Sequence, residues 1–358
     1  MPERVLVTGA SGYVACHCVK LLLKEGYLVR GTVRSLKDSK KVGPLRQLPG
    51  AAERLELVEA DLCKPETWPK AVANCDYVLH LASPFPAGTV VSPENLIRTA
   101  KDGTLNVLKA ASECGSVKRV VLTSSMLAVS RGHGPERGNK PFTEEDWTNP
   151  DGPGVTPYDK SKVLAEQAAW DYVKSTQDAR PMELTVLCPG FIIGPLLHST
   201  ECASAATIKM LLSGKRNSVP QLSFAYIDVR DVARAQLQAM KVPEAANQRI
   251  IIINQVGWME LLAKALSQEF MSQGYMVPTR VAWFFELWVA SLFDGVIRTM
   301  LPRIGIELKV DNTKMKNILK IHEDAIDPGK SAVDMAYSLI EKGFVRKTPS
   351  YVGPPASS

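Results

Sequence analysis

The fold of this chain is decided by residues 4–15, which read RVLVTGASGYVA. A short β-branched run leads into Gly9, and apolar residues at helical spacing follow Gly12. A strand, a glycine-rich turn and a helix in this order begin a Rossmann unit, in which the backbone at the helix N-terminus approaches a pyrophosphate. We therefore predict that Gly9, Ser11, Gly12, Tyr13 and Val14 bind a dinucleotide; a simple βα turn is the alternative.

Further strand and helix patterns alternate along the chain. Strands are predicted at 27–33, 54–60, 76–81, 117–123, 184–187 and 248–253, with helices that include 96–111 and 158–175. The alternation predicts an α/β fold with a Rossmann-type doubly wound parallel sheet. The expected domains are a nucleotide-binding domain at 1–195, joined by the strand near 248–253, a smaller and mostly helical substrate lobe at 196–247 and 254–345, and a tail at 346–358.

The end of the second predicted strand carries a base where an NAD site normally has an acid. An Asp or Glu at this point binds the ribose 2′-hydroxyl of NAD, but this chain has Arg34. A guanidinium binds a 2′-phosphate through paired hydrogen bonds, so NADP(H) is favoured as the cofactor. Lys41 is predicted to bind the phosphate as well, and Lys37 could take this role in its place. The alternative to a phosphate site is a basic turn that is merely solvated.

Ligands of a doubly wound sheet collect at the carboxyl ends of its strands. Asp61 and Leu62 follow the third predicted strand, where a carboxylate can accept a hydrogen bond from the adenine amino group or cap a turn. Leu81, Ala82 and Ser83 follow the fourth strand, and small residues there let a cofactor lie close to the sheet edge.

Gly and Pro residues in the segment 188–195, after the sixth predicted strand, indicate a turn beside the nicotinamide. We expect Pro189 and Ile192 to contact the cofactor there. The polar segment 131–149 is suited to lining a substrate mouth.

Tyr158 and Lys162 are four residues apart in a predicted helix and therefore share one face. An ammonium near a phenol favours the phenolate, so such a pair can give a proton to a carbonyl oxygen or take one from an alcohol. Ser124 and Ser125 end the fifth predicted strand, where a hydroxyl can hydrogen-bond to that carbonyl. We assign Ser125 to this role and Ser124 to capping the turn, which makes Ser125, Tyr158 and Lys162 the candidate catalytic set.

Composition limits the partners, the metal sites and the cellular location that are expected for this chain. The 358 residues carry a net charge of +6 without a long basic run, so a nucleic-acid partner is not expected. Seven scattered Cys and the absence of a signal-peptide pattern predict a reduced cytoplasmic protein without a metal site. No apolar run is long enough to span a bilayer, and the aromatic cluster at 283–288 is expected to pack in the core, with an interfacial membrane helix as the alternative. A monomer and a homodimer both fit the sequence.

Taken together, these motifs resemble the extended short-chain dehydrogenase/reductase family over residues 5–345. Within it, the chain is most similar to the group of dihydroflavonol 4-reductases, cinnamoyl-CoA reductases and yeast-type methylglyoxal/aldehyde reductases. The motifs that carry the resemblance are TGASGY at 8–13, TVR at 32–34, ADL at 60–62, HLASP at 80–84, LTSS at 122–125, YDKSK at 158–162, PG at 189–190 and GP at 194–195.

The resemblance implies hydride transfer from NADPH to the carbonyl carbon of an aldehyde or ketone. Tyr158 would protonate the oxygen, Ser125 would polarise the carbonyl, and Lys162 would assist Tyr158 and bind the nicotinamide ribose. Ala15 departs from the family pattern, because a third glycine usually stands at this position.

Three alternatives remain open. A hydroxysteroid dehydrogenase would need the same residues. An NAD-dependent sugar-nucleotide epimerase or dehydratase shares the Tyr–Lys pair, but Arg34 disfavours NAD, and Met126 and Leu127 stand where dehydratases of this type have acidic residues. A regulator that senses NADP without catalysis is disfavoured because Ser125, Tyr158 and Lys162 are all present.

Overall fold

The computed structural model describes residues 2–84, 92–134, 137–176, 182–199 and 202–355. Part of the predicted substrate-mouth loop, residues 135–136, and the end of the predicted tail, residues 356–358, therefore lie outside the described residues. The chain divides into two compact units. The first comprises 1–189, 232–252 and 311–322, and the second comprises 190–231, 253–310 and 323–358. The first boundary thus falls slightly before the predicted residue 195, and two later segments return to the first unit.

The strands, in chain order, are β1 (Arg4–Val7), β2 (Leu28–Val33), β3 (Leu55–Glu59), β4 (Tyr77–His80), β5 (Arg119–Thr123), β6 (Glu183–Pro189), β7 (Phe191–Ile193), β8 (Ser223–Asp228), β9 (Arg249–Ile252) and β10 (Gln255–Trp258). Seven of them form the sheet of the first unit in the order β3-β2-β1-β4-β5-β6-β9, and every pairing in it is parallel. The strand order runs outward from β1 in both directions, with β2 and β3 on one side and β4, β5, β6 and β9 on the other. This is the doubly wound arrangement, so the predicted Rossmann-type fold is confirmed.

The helices are α1 (Tyr13–Lys24), α2 (Ser39–Arg46), α3 (Ala51–Arg54), α4 (Trp68–Val72), α5 (Pro93–Cys114), α6 (Pro157–Thr176), α7 (Ala203–Leu212), α8 (Val229–Lys241), α9 (Met259–Phe270), α10 (Phe284–Ser291), α11 (Gly295–Met300) and α12 (Pro328–Glu341). In α1 the apolar spacing buries Val19 and Leu22 almost completely. Ala15 is only 2% exposed, so the helix accommodates a methyl group where a third glycine is usual. Helices α5 and α6 pack along each other.

The second unit has a small sheet of its own, in which β8 pairs with β7 in parallel and with β10 antiparallel. Residues 191–193, which lie within the segment 188–195 where a turn was predicted, form the strand β7. Gly190, just before β7, lets the backbone lie close to β8, since a Cβ at Gly190 would lie 2.1 Å from the carbonyl oxygen of Ala225.

The expectation that the aromatic cluster at 283–288 packs in the core is also wrong. Trp283 is 73% exposed, Phe285 is 69% exposed, and Phe293 just beyond the helix is 88% exposed. Composition alone favoured burial of these residues, but the aromatic core of the second unit is built instead around Phe270, which contacts Tyr275 and Tyr337. Across the described residues, no helix is both long enough and apolar enough to cross a bilayer.

Candidate active site

The glycine-rich turn after β1 has the geometry that a bound dinucleotide requires. Gly9 has a φ of +63°, and a Cβ there would lie 3.2 Å from the Cβ of Ala82. Gly12 is the N-cap of α1, and a Cβ there would lie 3.1 Å from the carbonyl oxygen of Gly9. Ser11 lies in this turn, and Tyr13 and Val14 begin α1. The helix N-terminus therefore has no bulky side chain between its backbone N–H groups and a phosphate.

Thr8 and His80 hold this turn against the end of β4. The Thr8 hydroxyl accepts hydrogen bonds from the N–H groups of Leu81 (3.0 Å) and Ala82 (2.9 Å). Its own hydrogen is thus available to His80 Nδ1, 2.9 Å away. Burial, together with the nearby charge of Lys162, lowers the pKa of His80 to about 3, so the ring is neutral. The sequence motif at 80–84 marks this turn, but it does not reveal the roles of Thr8 and His80.

Arg34 is exposed and follows β2 directly, at the position where a Rossmann fold selects the ribose substituent. Lys41 lies in α2, where its Nζ is 3.8 Å from an oxygen of Asp38 and both side chains are about half exposed. Lys37 is exposed in the turn between β2 and α2. The acidic neighbour competes with a phosphate for Lys41, whereas Arg34 forms no ion pair with any of the described residues. The phosphate contacts of all three remain predictions.

Asp61 caps its own turn, because its carboxylate accepts a hydrogen bond from the N–H of Cys63 at 2.9 Å. The Asn106 side chain donates to the carbonyl oxygen of Leu62, also at 2.9 Å. Asn106 therefore ties α5 to the turn after β3. Contact of Asp61 and Leu62 with adenine stays a prediction.

The N-terminus of α6 is fixed by a reciprocal cap. The Asp159 carboxylate accepts from the N–H (2.9 Å) and the hydroxyl (2.8 Å) of Thr156, and the Thr156 hydroxyl accepts from the N–H of Asp159 (3.2 Å). Pro157 begins the helix, where its missing N–H costs no helical hydrogen bond. Tyr158 and Lys162 consequently lie in the first and second turns of α6, and both are half-buried.

The helix brings the Tyr–Lys pair to the carboxyl end of β4. Lys162 Nζ donates to Ser83 Oγ at 3.0 Å and lies 5.7 Å from the centre of the Tyr158 ring. Ser125 lies on the neighbouring turn after β5, and α6 packs against the short helical turn that Ser125 begins. The structure thus brings Tyr158, Lys162 and Ser83 together and places Ser125 beside them.

The turn after β5 is capped by Ser125 and not by Ser124, for which this role was expected. Ser125 Oγ accepts from the N–H of Leu127 at 3.1 Å, so Ser125 caps the turn. Ser124 is only 5% exposed, and its hydroxyl donates to the Glu166 carboxylate at 2.5 Å. The expectation that Ser124 caps the turn is wrong, because the alternation of side chains at the end of β5 directs Ser124 into the protein interior.

Pro189 and Ile192 fall in different units. Pro189 ends β6, where it is buried opposite Ile252 of β9. Ile192 lies in β7 of the second unit, half-buried and opposite Ile227. Their contact with the cofactor remains a prediction. No group of three or more His, Cys, Asp or Glu that could hold a metal ion occurs in the part of the chain that the structure describes.

Comparison with known proteins shows the family to which the chain belongs. The family model described as "NAD dependent epimerase/dehydratase family" matches residues 5–254. The chain is 40% identical over 251 residues to cinnamoyl-CoA reductase CAD2 of Medicago truncatula, covering 69% of this chain and 75% of that protein. It is 38% identical over 274 residues to tetraketide alpha-pyrone reductase 1 of Arabidopsis thaliana, covering 75% and 82%. Among solved structures, yeast methylglyoxal/isovaleraldehyde reductase Gre2 complexed with NADPH is similar with a TM-score of 0.79 and 27% identity, over 95% of this chain and 98% of that one.

A doubly wound sheet with a Tyr–Lys pair at the carboxyl ends of its strands is the arrangement of the short-chain dehydrogenase/reductase class. The relatives are named reductases, which makes the chain an oxidoreductase of that class. The chain belongs to the NAD-dependent epimerase/dehydratase family, which is the extended branch of that class. The resemblance inferred from the sequence motifs, including the reductase group, is thereby confirmed.

Proposed function

We propose that this protein is an NADPH-dependent reductase that converts the carbonyl group of an aldehyde or ketone into an alcohol. The expected cofactor and the expected enzyme class are confirmed by the relatives, which are named reductases and include a structure complexed with NADPH. The observation that carries the proposal in this chain is the placement of Tyr158 and Lys162 beside Ser83 at the strand ends.

The residues of the site fit NADP(H). The turn at Gly9 and Gly12 leaves room for a pyrophosphate at the N-terminus of α1. Arg34 is exposed at the end of β2, where it would bind the 2′-phosphate. Lys162 has three N–H donors, of which one is directed to Ser83, so the others would bind the nicotinamide ribose and support Tyr158. When bound, the cofactor supplies the hydride for the carbonyl carbon.

The side chains of the site supply the proton and orient the substrate carbonyl. Tyr158 donates its phenolic proton to the carbonyl oxygen, so hydride and proton together give the alcohol and NADP⁺. Ser125 Oγ accepts from the Leu127 N–H, so its own hydrogen points away from that bond and donates to the substrate oxygen. The neutral ring of His80 adds no second positive charge next to Lys162.

A substrate screen tests the proposal. Oxidation of NADPH by the purified protein is followed with aldehydes, 1,2-diketones, flavonoid-like ketones and steroid ketones, with NADH as the comparison cofactor. Turnover of at least one carbonyl with NADPH is expected. Turnover of a nucleotide sugar on tightly held NAD would replace the proposal with the epimerase alternative, and NADPH binding without any turnover would favour the regulator.

A further inference from the structure

A buried ionic cluster lies directly behind the catalytic residues. Its members are Ser124 at the end of β5, Glu166 in α6, Cys188 in β6 and Arg249 at the start of β9. Glu166 is 1% exposed and Arg249 is 7% exposed, which is unusual for charged side chains. Burial of a charge without a partner is strongly unfavourable, so such a pair is retained only where its geometry is well satisfied.

Both oxygens of the Glu166 carboxylate accept hydrogen bonds, and the donors to Oε1 include the Trp170 indole N–H at 3.4 Å. Arg249 Nε lies 2.5 Å from Oε1 and Arg249 Nη2 lies 3.3 Å from Oε2. The Ser124 hydroxyl donates to Oε2 at 2.5 Å, and the Cys188 thiol lies 3.7 Å from the same oxygen. Burial, with a contribution from the Glu166 charge, raises the pKa of Cys188 far above its usual range, so Cys188 stays a thiol and a donor.

Arg249 connects this carboxylate to the segments around the catalytic serine. Its Nη1 donates to the carbonyl oxygens of Glu144 (2.8 Å) and Asp146 (2.6 Å), and its Nη2 donates to that of Ala128 (3.2 Å). With the two bonds to Glu166, all five guanidinium N–H groups have an acceptor. One side chain therefore joins β9, the turn after Ser125, α6, and the segment around residue 145, which is predicted to line the substrate mouth.

The position of Glu166 makes the cluster relevant to catalysis. Glu166 follows Lys162 by four residues and Tyr158 by eight on α6, while Ser124 precedes Ser125 directly. The hydrogen bond between Ser124 and Glu166 therefore connects α6, which carries Tyr158 and Lys162, to the turn that carries Ser125. No side chain of the cluster needs to touch the substrate for this link to act.

We propose that Glu166 is a positioning residue: held by Arg249, its carboxylate fixes the Ser124 hydroxyl and thereby sets Ser125 relative to Tyr158 and Lys162. The inference rests on the proposed reductase function. A small displacement of a catalytic group costs a large part of its rate, because reactive geometry is narrow; about 1 Å corresponds to about 100-fold.

Variants of Ser124 test the link most directly, since Glu166→Gln leaves the charge of Arg249 buried without a counter-charge. Ser124→Ala removes only the connecting hydroxyl, and Ser124→Thr retains a hydroxyl. Ser112→Ala is the matched control, because Ser112 is also buried, lies in α5, and has an oxygen without a hydrogen-bond partner among the described residues. The readouts are kcat, KM, the Kd for NADPH and the thermal midpoint, measured with a carbonyl that the wild type reduces.

We expect Ser124→Ala to lower kcat about 10- to 100-fold, with KM and the NADPH Kd changed by less than about 2-fold. Ser124→Thr should restore kcat to within about 5-fold of wild type, and Ser112→Ala should keep it within about 2-fold. The inference is overturned if Ser124→Ala keeps its kcat, or if kcat falls only in step with NADPH affinity and the thermal midpoint. A wild-type protein that reduces no carbonyl would refute the proposed function instead, so the two failures are distinguishable.

A double-mutant cycle gives a second measurement. Where Glu166→Gln folds, it should lower kcat by a factor similar to that of Ser124→Ala. The kcat of the double variant should be no lower than that of the less active single variant. Multiplicative losses would show that the two residues act independently and would overturn the link. Where Glu166→Gln does not fold, the Ser124 variants decide alone.

Discussion

Lys162 Nζ lies 3.0 Å from Ser83 Oγ, so this hydrogen bond ties α6 to the carboxyl end of β4. Lys162 is the residue predicted to bind the nicotinamide ribose. The two residues are 79 positions apart in the chain. The serine accepts one of the three ammonium hydrogens and thereby orients the remaining two.

Loss of this contact should weaken cofactor binding. In Ser83→Ala the ammonium loses its acceptor, and hydrogen bonds to charged groups contribute about 1.5–3 kcal/mol, so we expect the NADPH Kd to rise about 10-fold. Ser83→Thr retains a hydroxyl and should stay within about 3-fold of wild type. Titration of NADPH by fluorescence measures both. Equal affinities for Ser83→Ala and wild type would contradict the role of this bond.

Removal of the Tyr158 hydroxyl should abolish proton donation but leave the cofactor site intact. We expect Tyr158→Phe to lower kcat by about 1,000-fold, within the usual range for loss of a general acid, with the NADPH Kd nearly unchanged. Tyr172→Phe makes the same change further along α6 and serves as the control. Steady-state turnover that persists in Tyr158→Phe would remove this residue as the acid.

Reversal of charge at Arg34 should change the cofactor preference. Arg34→Glu replaces a predicted 2′-phosphate ligand with a group that can accept from a ribose 2′-hydroxyl. We expect the ratio of NADPH to NADH affinity to fall about 100-fold, since two charged hydrogen bonds become one repulsion. Lys37→Glu and Lys41→Glu, in the adjoining turn and helix, are the matched comparisons. If the three variants behave alike, a general charge effect explains the preference better than Arg34 does.

His80 should make the stability of the fold depend on pH. An unfolded His has a pKa near 6.5, whereas the pKa of folded His80 is about 3, so between these values the unfolded chain binds one more proton. The free energy of unfolding should therefore fall as pH decreases below about 6.5, by up to about 1.4 kcal/mol per pH unit. Urea unfolding at about pH 7, 6 and 5 measures the slope.

The His80→Asn variant lacks the titrating ring and should show a shallower slope over the same range. A slope that is the same in wild type and His80→Asn would assign the acid sensitivity to other groups.

Two phenylalanines of the second unit should differ sharply in their effect on stability. Phe270 is fully buried, with its ring centre 4.8 Å from that of Tyr337, so Phe270→Ala should cost about 3–5 kcal/mol. Phe293 is 88% exposed, so Phe293→Ala should change the free energy of unfolding by less than about 0.5 kcal/mol. Chemical denaturation of both variants compares them directly. A comparable loss in Phe293→Ala would mean that the exposed aromatic segment is covered in solution.

Much of the fold could be predicted from sequence because the relevant signals are local. The strand, glycine turn and helix at 4–24 follow from side-chain spacing and from the backbone freedom of Gly9, and each predicted strand of the large sheet was found within a few residues of its expected place. The shared face of Tyr158 and Lys162 follows from the period of the helix alone.

Errors occurred where the outcome depends on which surfaces pack together. The roles of Ser124 and Ser125 could not be separated from sequence, since both residues suit a turn, and only the position of Glu166 on α6 decides between them. The cluster at 283–288 has the composition of a core segment, but the core of the second unit is filled by other aromatic residues.

The sequence by itself determined the class of fold, the nucleotide-binding turn and the identity of the Tyr–Lys pair, because these depend on interactions within one or two turns of chain. Only the tertiary structure decided that Ser83 accepts a hydrogen bond from Lys162, that Thr8 bonds to His80 and to the backbone that follows β4, and that Glu166 is paired with Arg249 in the protein interior. These contacts join residues 72 to 83 positions apart. They are set by the order of strands in the sheet and by the packing of α6 against it, which no short stretch of sequence encodes.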